Sequence, residues 1–167
     1  MTQTGTVTSI HIAQTTGAQP EPVDSVRAVA GRGLDGDRYY HEEGTFGDRD
    51  GCAVTFIESE ALAAAEREYD VSLSPGAHRR NVTTRGVALN HLVGERFRVG
   101  DAVCLGTELC EPCSYLERHL EQAGVQDALV HRGGLRARIV ESGDIREKSS
   151  IEFPISCHSG PKNQDSS

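Results

Sequence analysis

The sequence predicts a mainly β fold, with strands closed into a barrel-like or sandwich-like sheet and a few peripheral α-helices. Three observations lead there. Most apolar residues sit in short stretches rich in β-branched types, many of the 18 glycines punctuate those stretches, and only two segments carry helical spacing. An α/β sheet would instead alternate strands with long amphipathic helices.

In chain order, Thr6–Ile12 (TVTSIHI) puts Thr8, Ile10 and Ile12 on one face of a strand. Val23–Ala30 is a weaker strand, ended by Gly31 and Gly33. Cys52–Ile57 (CAVTFI) reads as a buried strand. Ser59–Tyr69 is alanine-rich, with Leu62, Ala65 and Tyr69 at helical spacing. Further strands are expected over Arg80–Thr84, Arg96–Val99, Ala102–Leu109, Leu135–Val140 and Ser150–Phe153. A second helix is expected over about Tyr115–Gln122, with Leu116 and Leu120 one turn apart. Ser114 and Glu117 form a capping box at its start, and Gly124 provides a stop. Gly36–Gly51 lacks apolar periodicity and is expected to be a long functional loop. One domain over residues 5–155 and a disordered tail over 156–167 account for the 167 residues.

Composition narrows the function classes. Formal net charge is −8, from 25 acidic and 17 basic residues. Such a surface repels a phosphate backbone, so no nucleic-acid partner is expected. No apolar run approaches the ~20 residues of a membrane span, and the opening MTQTGTVTSIHIAQ lacks a basic start and apolar signal stretch. A cytoplasmic protein without a membrane partner is expected. The five cysteines, Cys52, Cys104, Cys110, Cys113 and Cys157, are odd in number, and reduced thiols are expected.

Cys113 is the thiol with most chemistry around it. It precedes the proposed N-cap Ser114, where free backbone N–H groups and the helix dipole stabilise a thiolate. A nucleophile, a sulfur carrier and a soft-metal ligand all need that state. Cys110 completes a C-E-P-C motif, open to three readings: a redox dithiol, half a zinc site, or two unrelated cysteines. Cys104 and Cys110 read as apolar strand residues.

Two basic clusters suit a small anion better than a polymer. Arg79, Arg80, Asn81, Thr83 and Thr84 combine guanidinium forks for phosphate with an amide for a ring edge; the alternative is a solvated edge strand with exposed arginines. Arg132-Gly133-Gly134 is either a phosphate contact or a turn. Gly31–Arg38, which holds Gly36 and Asp37, has the wrong glycine spacing for a dinucleotide loop. It reads as a tight turn stapled by Asp37–Arg38 or Asp35–Arg38. Among the histidines, His11 reads as structural, His41 lies in the long loop, and His78 is placed to cap or line the arginine pocket.

Taken together, GRGLDGDRY at Gly31–Tyr39, PGAHRRNVTTRGVALNHLVGERFRVGDAV at Pro75–Val103, GTELCEPCSYLERHL at Gly106–Leu120 and HRGGLRARIVESGDI at His131–Ile145 resemble the MOSC domain, the C-terminal domain of molybdenum cofactor sulfurases. The resemblance implies a β-barrel-like fold and a molybdenum cofactor (molybdopterin). Cys113 would bind molybdenum or carry sulfane sulfur. Arg80 and Asn81, with Thr83 and Thr84, would hold the pterin and phosphate, with Gly36 and Asp37 in the family's loop; the residue pattern adds Arg79 and Arg132 as phosphate contacts. Two functions follow as expectations: reduction of N-hydroxylated compounds with an electron-donating reductase, or sulfur carriage from a pyridoxal-phosphate-dependent cysteine desulfurase, the chain itself binding no pyridoxal phosphate. A thiol redox or zinc module is the third. The sequence does not assign an oligomeric state; a homodimer is compatible with it. Two departures stand out. Arg146–Ser149 replaces a glycine-aspartate pair, which implies an irregular last strand, and Cys110 is an extra thiol beside Cys113.

Overall fold

The computed structural model describes residues 3–15, 18–38, 40, 53–73, 76–110 and 124–155. Cys52, Cys113, His41, the helix expected over 115–122, most of the 36–51 loop and the 156–167 tail lie outside the described residues. Eleven strands are described: β1 (Gln3–Ile12), β2 (Glu21–Val23), β3 (Ser25–Val29), β4 (Gly33–Leu34), β5 (Val54–Glu58), β6 (Val82–Arg85), β7 (Arg96–Val99), β8 (Ala102–Leu109), β9 (Leu135–Glu141), β10 (Gly143–Arg146) and β11 (Ser150–Phe153). Two helices join them, α1 (Ser59–Tyr69) and α2 (Val125–Leu129), with a 3-10 turn at Leu89–Leu92.

Seven strands close on themselves in the order β1-β11-β7-β8-β9-β5-β6, and β2 extends β1. The fold is therefore the mainly β barrel the sequence predicts. Closure comes from β1, which pairs with β11 through Gln3–Thr6 and with β6 through Thr6–Ile10. A register shift between Val7 and Ser9 marks a bulge, the device that lets one strand bend from one partner to another. All the ring pairings are antiparallel except β5–β6, whose parallel register needs a crossover, and α1 lies within that connection.

Val7, Ile10, Val54, Phe56, Val82, Phe97 and Ile139 fill the interior. Val26, Ala28, Leu34 and Ile145, from the separate β10-β3-β4 sheet, belong to the same cluster, so that sheet packs its apolar face against the barrel core. On the outside, Ile57 packs with Ala65 of α1 and with Val125, Ala128 and Leu129 of α2. The helical layer thus covers the outward face of β5.

The last strand is regular, which corrects the expectation drawn from Arg146–Ser149. β11 pairs with β1 on one side and β7 on the other. The irregularity is taken up before it, in a turn where Ser149 N–H donates to the Arg146 carbonyl at 3.0 Å and Lys148 has φ 75°. The strand expected over Val23–Ala30 is two strands meeting at Asp24. That expected over Arg80–Thr84 starts only at Val82, because Arg80 and Asn81 turn their hydrogen bonds elsewhere.

Candidate functional site

Phe56 and Val82 face the barrel interior, so their neighbours Thr55 and Asn81 face outward. Asn81 is fully buried there. Its Oδ1 accepts from the Thr55 N–H (3.0 Å) and Oγ1 (3.2 Å), and its Nδ2 donates to the His11 carbonyl (3.1 Å) and Asp37 Oδ1 (3.2 Å). Two acceptor positions and two donor hydrogens are all that an amide has. Asn81 therefore ties three strands and a turn together, with its side-chain amide engaged within the chain.

Asp37 shares that junction. Its Oδ1 also accepts from the Ala13 N–H at 3.0 Å and from Arg38 Nη1 at 3.3 Å. The Asp37–Arg38 staple expected from the sequence is present, but inside the protein, with the Asp37 side chain fully buried. Gly36, at φ 92°, lets the chain turn into it.

The two adjacent arginines behave differently. Arg79 has a left-handed backbone (φ 64°), donates from Nη1 to the Ala18 carbonyl at 2.8 Å, and accepts at its own carbonyl from Arg38 Nη2 at 3.2 Å. Arg80 is 8% exposed, so it is no solvated edge residue. Nε donates to the Gly133 carbonyl at 2.8 Å, Nη1 to that of His78 at 2.8 Å and Nη2 to that of Cys110 at 3.2 Å. Gly134 permits this junction. At φ 115° its absent Cβ would run into the Phe56 carbonyl oxygen.

Arg132, predicted to join these two, is engaged by the helical layer. Nε donates to the Ala128 carbonyl at 2.8 Å, Nη2 meets Glu68 at 3.2 Å, and the guanidinium lies 5.7 Å from the centre of the Tyr69 ring. Thr84 is buried, with Oγ1 on the Ile57 carbonyl at 3.4 Å. Thr83 is also buried, and among the described residues its Oγ1 has no hydrogen-bond partner, nor has Nδ1 of His11. Both residues lie on the outward side of the β1–β6 pair, since Ile10 and Val82 point inward.

Sequence reasoning passed over the histidine pair. His11 and His78 are buried edge to face, with centroids 6.2 Å apart. Gly76 makes room for them, because a Cβ there would stand 2.7 Å from His11 Cδ2. The Arg80 backbone N–H donates to His78 Nδ1 at 3.0 Å, which leaves the proton of the neutral ring on Nε2. Burial, then the charge of Arg80, then that of His11, lower the His78 pKa to about 3. Burial also lowers that of His11, against a weaker pull from Glu147. Nothing in the spacing of the two residues signals their meeting.

Of the thiols, Cys104 faces the barrel interior, where burial pushes its pKa up to about 12 and keeps it unreactive. Cys110 is buried at the end of β8, beside Arg80. Among the described residues no three His, Cys, Asp or Glu side chains gather to hold a metal ion, and no helix is long and apolar enough to cross a membrane.

The closed barrel thus brings its glycine turn, its arginine–asparagine corner and Cys110, the first cysteine of the C-E-P-C motif, to one junction. The MOSC domain profile matches residues 42–152, and the chain belongs to the MOSC domain family, which is linked to molybdenum cofactor binding. Solved structures agree on the fold. The YuaD protein of Bacillus subtilis superposes with a TM-score of 0.75 at 18% identity, covering 91% of this chain and 96% of that one. YiiM of Geobacillus stearothermophilus gives 0.68 at 17% identity, covering 93% and 78%. YiiM of Escherichia coli gives 0.65 at 17%, covering 90% and 70%. No curated protein sequence matches the chain.

Proposed function

We propose that this protein binds a molybdopterin-type cofactor with Cys113 as the molybdenum ligand, and that it reduces N-hydroxylated compounds. One observation carries the reading: three sequence-distant motifs meet. Asn81 binds Asp37 of the glycine turn, Arg79 meets Arg38 of that turn, and Arg80 binds Cys110 at the start of the CxxC motif.

The described residues fit such a group in part. Oγ1 of Thr83 and Nδ1 of His11, without a hydrogen-bond partner among the described residues, are buried polar atoms of the kind a heterocycle rich in donors and acceptors satisfies. Arg79 brings positive charge for the phosphate. Arg80, Asn81 and Thr84 are committed within the chain and support the site from behind, whereas Arg132 is held in the helical layer away from it.

When bound, the cofactor supplies two-electron redox chemistry. The balance is R–NH–OH + 2 electrons + 2 protons giving R–NH2 + H2O. Both electrons come from a separate reductase, since the chain carries no flavin, haem or iron–sulfur motif. The test is molybdenum and pterin content of native protein beside Cys113→Ala. The reading expects molybdenum to be lost in the variant, and equal content in both overturns it. Incubation with a pyridoxal-phosphate-dependent desulfurase and cysteine separates the carrier alternative, which predicts a persulfide on Cys113 by mass spectrometry.

A further inference from the structure

The outer wall of the barrel is not uniform. Over β5 the helical layer packs on Ile57. Over β7, β8 and β9 the wall presents arginines. Phe97, Cys104, Ala137 and Ile139 point into the interior, so Arg96, Arg98, Leu105 and Arg138 point outward. Arg96 stands opposite Leu105, and Leu105 opposite Arg138, in one row across the three strands. Facing residues on adjacent strands lie about 5 Å apart, so the two arginine stems flank Leu105 about 10 Å from each other. Arg98 adds a third charge two residues along β7. Arg96 and Arg138 are exposed, while Arg98 and Leu105 are half-buried.

These arginines differ from others on the surface. Arg27 and Arg146 share Asp144, and Arg67 and Arg132 meet Glu68. Among the described residues the guanidinium groups of Arg96, Arg98 and Arg138 have no such partner, and Glu152, opposite Arg98 in register, does not pair with it. On a chain of net charge −8 they form a positive island around an apolar centre. An acidic protein is repelled by the rest of such a surface and admitted here, which fixes its orientation. Arginine around an apolar residue is also the composition that protein interfaces favour. A nucleic acid would run off so small an island on to the acidic remainder, where its phosphates are repelled.

We propose that the outer face of β7, β8 and β9 is a docking surface for a protein partner that presents a cluster of carboxylates, with Arg96 and Arg138 as the main contacts on either side of Leu105. On the same wall Arg136 of β9 faces Thr55 of β5, which binds Asn81 of β6. The partner would therefore sit two strands, about 10 Å, from the candidate site. The inference stands independently of the cofactor reading.

The probe is fluorescein-labelled deca-glutamate, read by anisotropy against the full chain at low salt. Saturable binding is expected. Arg96→Gln with Arg138→Gln is expected to weaken it at least ~10-fold. Arg27→Gln with Arg146→Gln removes the same charge elsewhere and is expected to change it by less than about 2-fold. No saturable binding, or equal weakening by the two double variants, overturns the proposal. Tighter binding of a ten-nucleotide oligothymidylate also overturns it and assigns the face to nucleic acid. In unaltered protein labelled with 15N-arginine, deca-glutamate is expected to move the Nε–H resonances of Arg96, Arg98 and Arg138 and to leave those of Arg27 and Arg146 in place. Equal shifts over all of them overturn the proposal, and this measurement decides alone if the first double variant does not fold.

Discussion

Along β1, β5 and β6 the same backbone is held by different physics on its two sides. Toward the barrel axis, Val7, Ile10, Val54, Phe56 and Val82 bury hydrocarbon among hydrocarbon. On the outward side near the arginine junction, Thr55, Asn81 and the His11 backbone form a buried hydrogen-bond network that continues into Asp37. An apolar interior asks for volume, and a neighbouring methyl can shift to fill a small gap. A saturated polar network asks for each donor to meet its acceptor, and removing one member strands the others. The inner face should thus be forgiving and the outer face exacting.

The sharpest way to break that contrast is Asn81→Leu, which nearly conserves volume, strands the Thr55 N–H and the His11 carbonyl, and leaves Asp37 to Ala13 and Arg38. We expect a loss of about 3–5 kcal/mol in urea unfolding, several buried polar groups each costing about 1–3. A loss below about 1 kcal/mol would show that the outer network is dispensable.

Acid is the next largest lever. The unfolded chain protonates His78 near its ordinary 6.5, whereas the folded protein resists down to about 3. The unfolded state then holds more protons between these values, so stability is complete above 6.5 and falls as pH drops through that window. From pH 7 to pH 5 this amounts to about 2 kcal/mol. His11 adds to it with the same sign. Glu58 acts oppositely. Burial, offset by its bond from the Leu89 N–H, leaves its pKa raised from 4.5, so its contribution is present at low pH and is lost as pH rises through the raised value. His78→Gln should flatten the decline between pH 7 and pH 5, and an unchanged profile would count against the buried neutral pair.

Smaller effects sharpen the comparison from the other side. Phe97, packed on Phe56 inside the barrel, should tolerate Phe97→Leu at a cost of about 1 kcal/mol, checked by the shift in urea midpoint. Arg132→Gln removes a partly exposed pair with Glu68 and should cost about 0.5 kcal/mol, leaving cofactor content unaltered.

The sequence showed the inner face plainly and the outer one hardly at all. Alternation along Thr6–Ile12, Arg96–Val99 and Ala102–Leu109 exposes the strands, and the alanine-rich Ser59–Tyr69 is a helix over that whole span. The short β4 and β10, with Gly33 and Gly143 in them, escaped notice because their order comes from pairing with β3 rather than from local pattern. Arg79–Asn81 stood out as a polar cluster, but its purpose was hidden. The carbonyls that engage Arg80 belong to Cys110, 30 residues away, and Gly133, 53 residues away, and a linear pattern carries no sign of backbone acceptors.

The ring closes by pairing the first described strand with the last, Gln3 opposite Phe153 and Thr6 opposite Ser150. During synthesis β1 emerges before β2 and β6, with which it pairs along one part of its length, but its pairing with β11 must wait for the rest of the barrel. Until then the sheet keeps open edges to which any other strand can add, so closure by β11 is also what removes this chain's templates for aggregation.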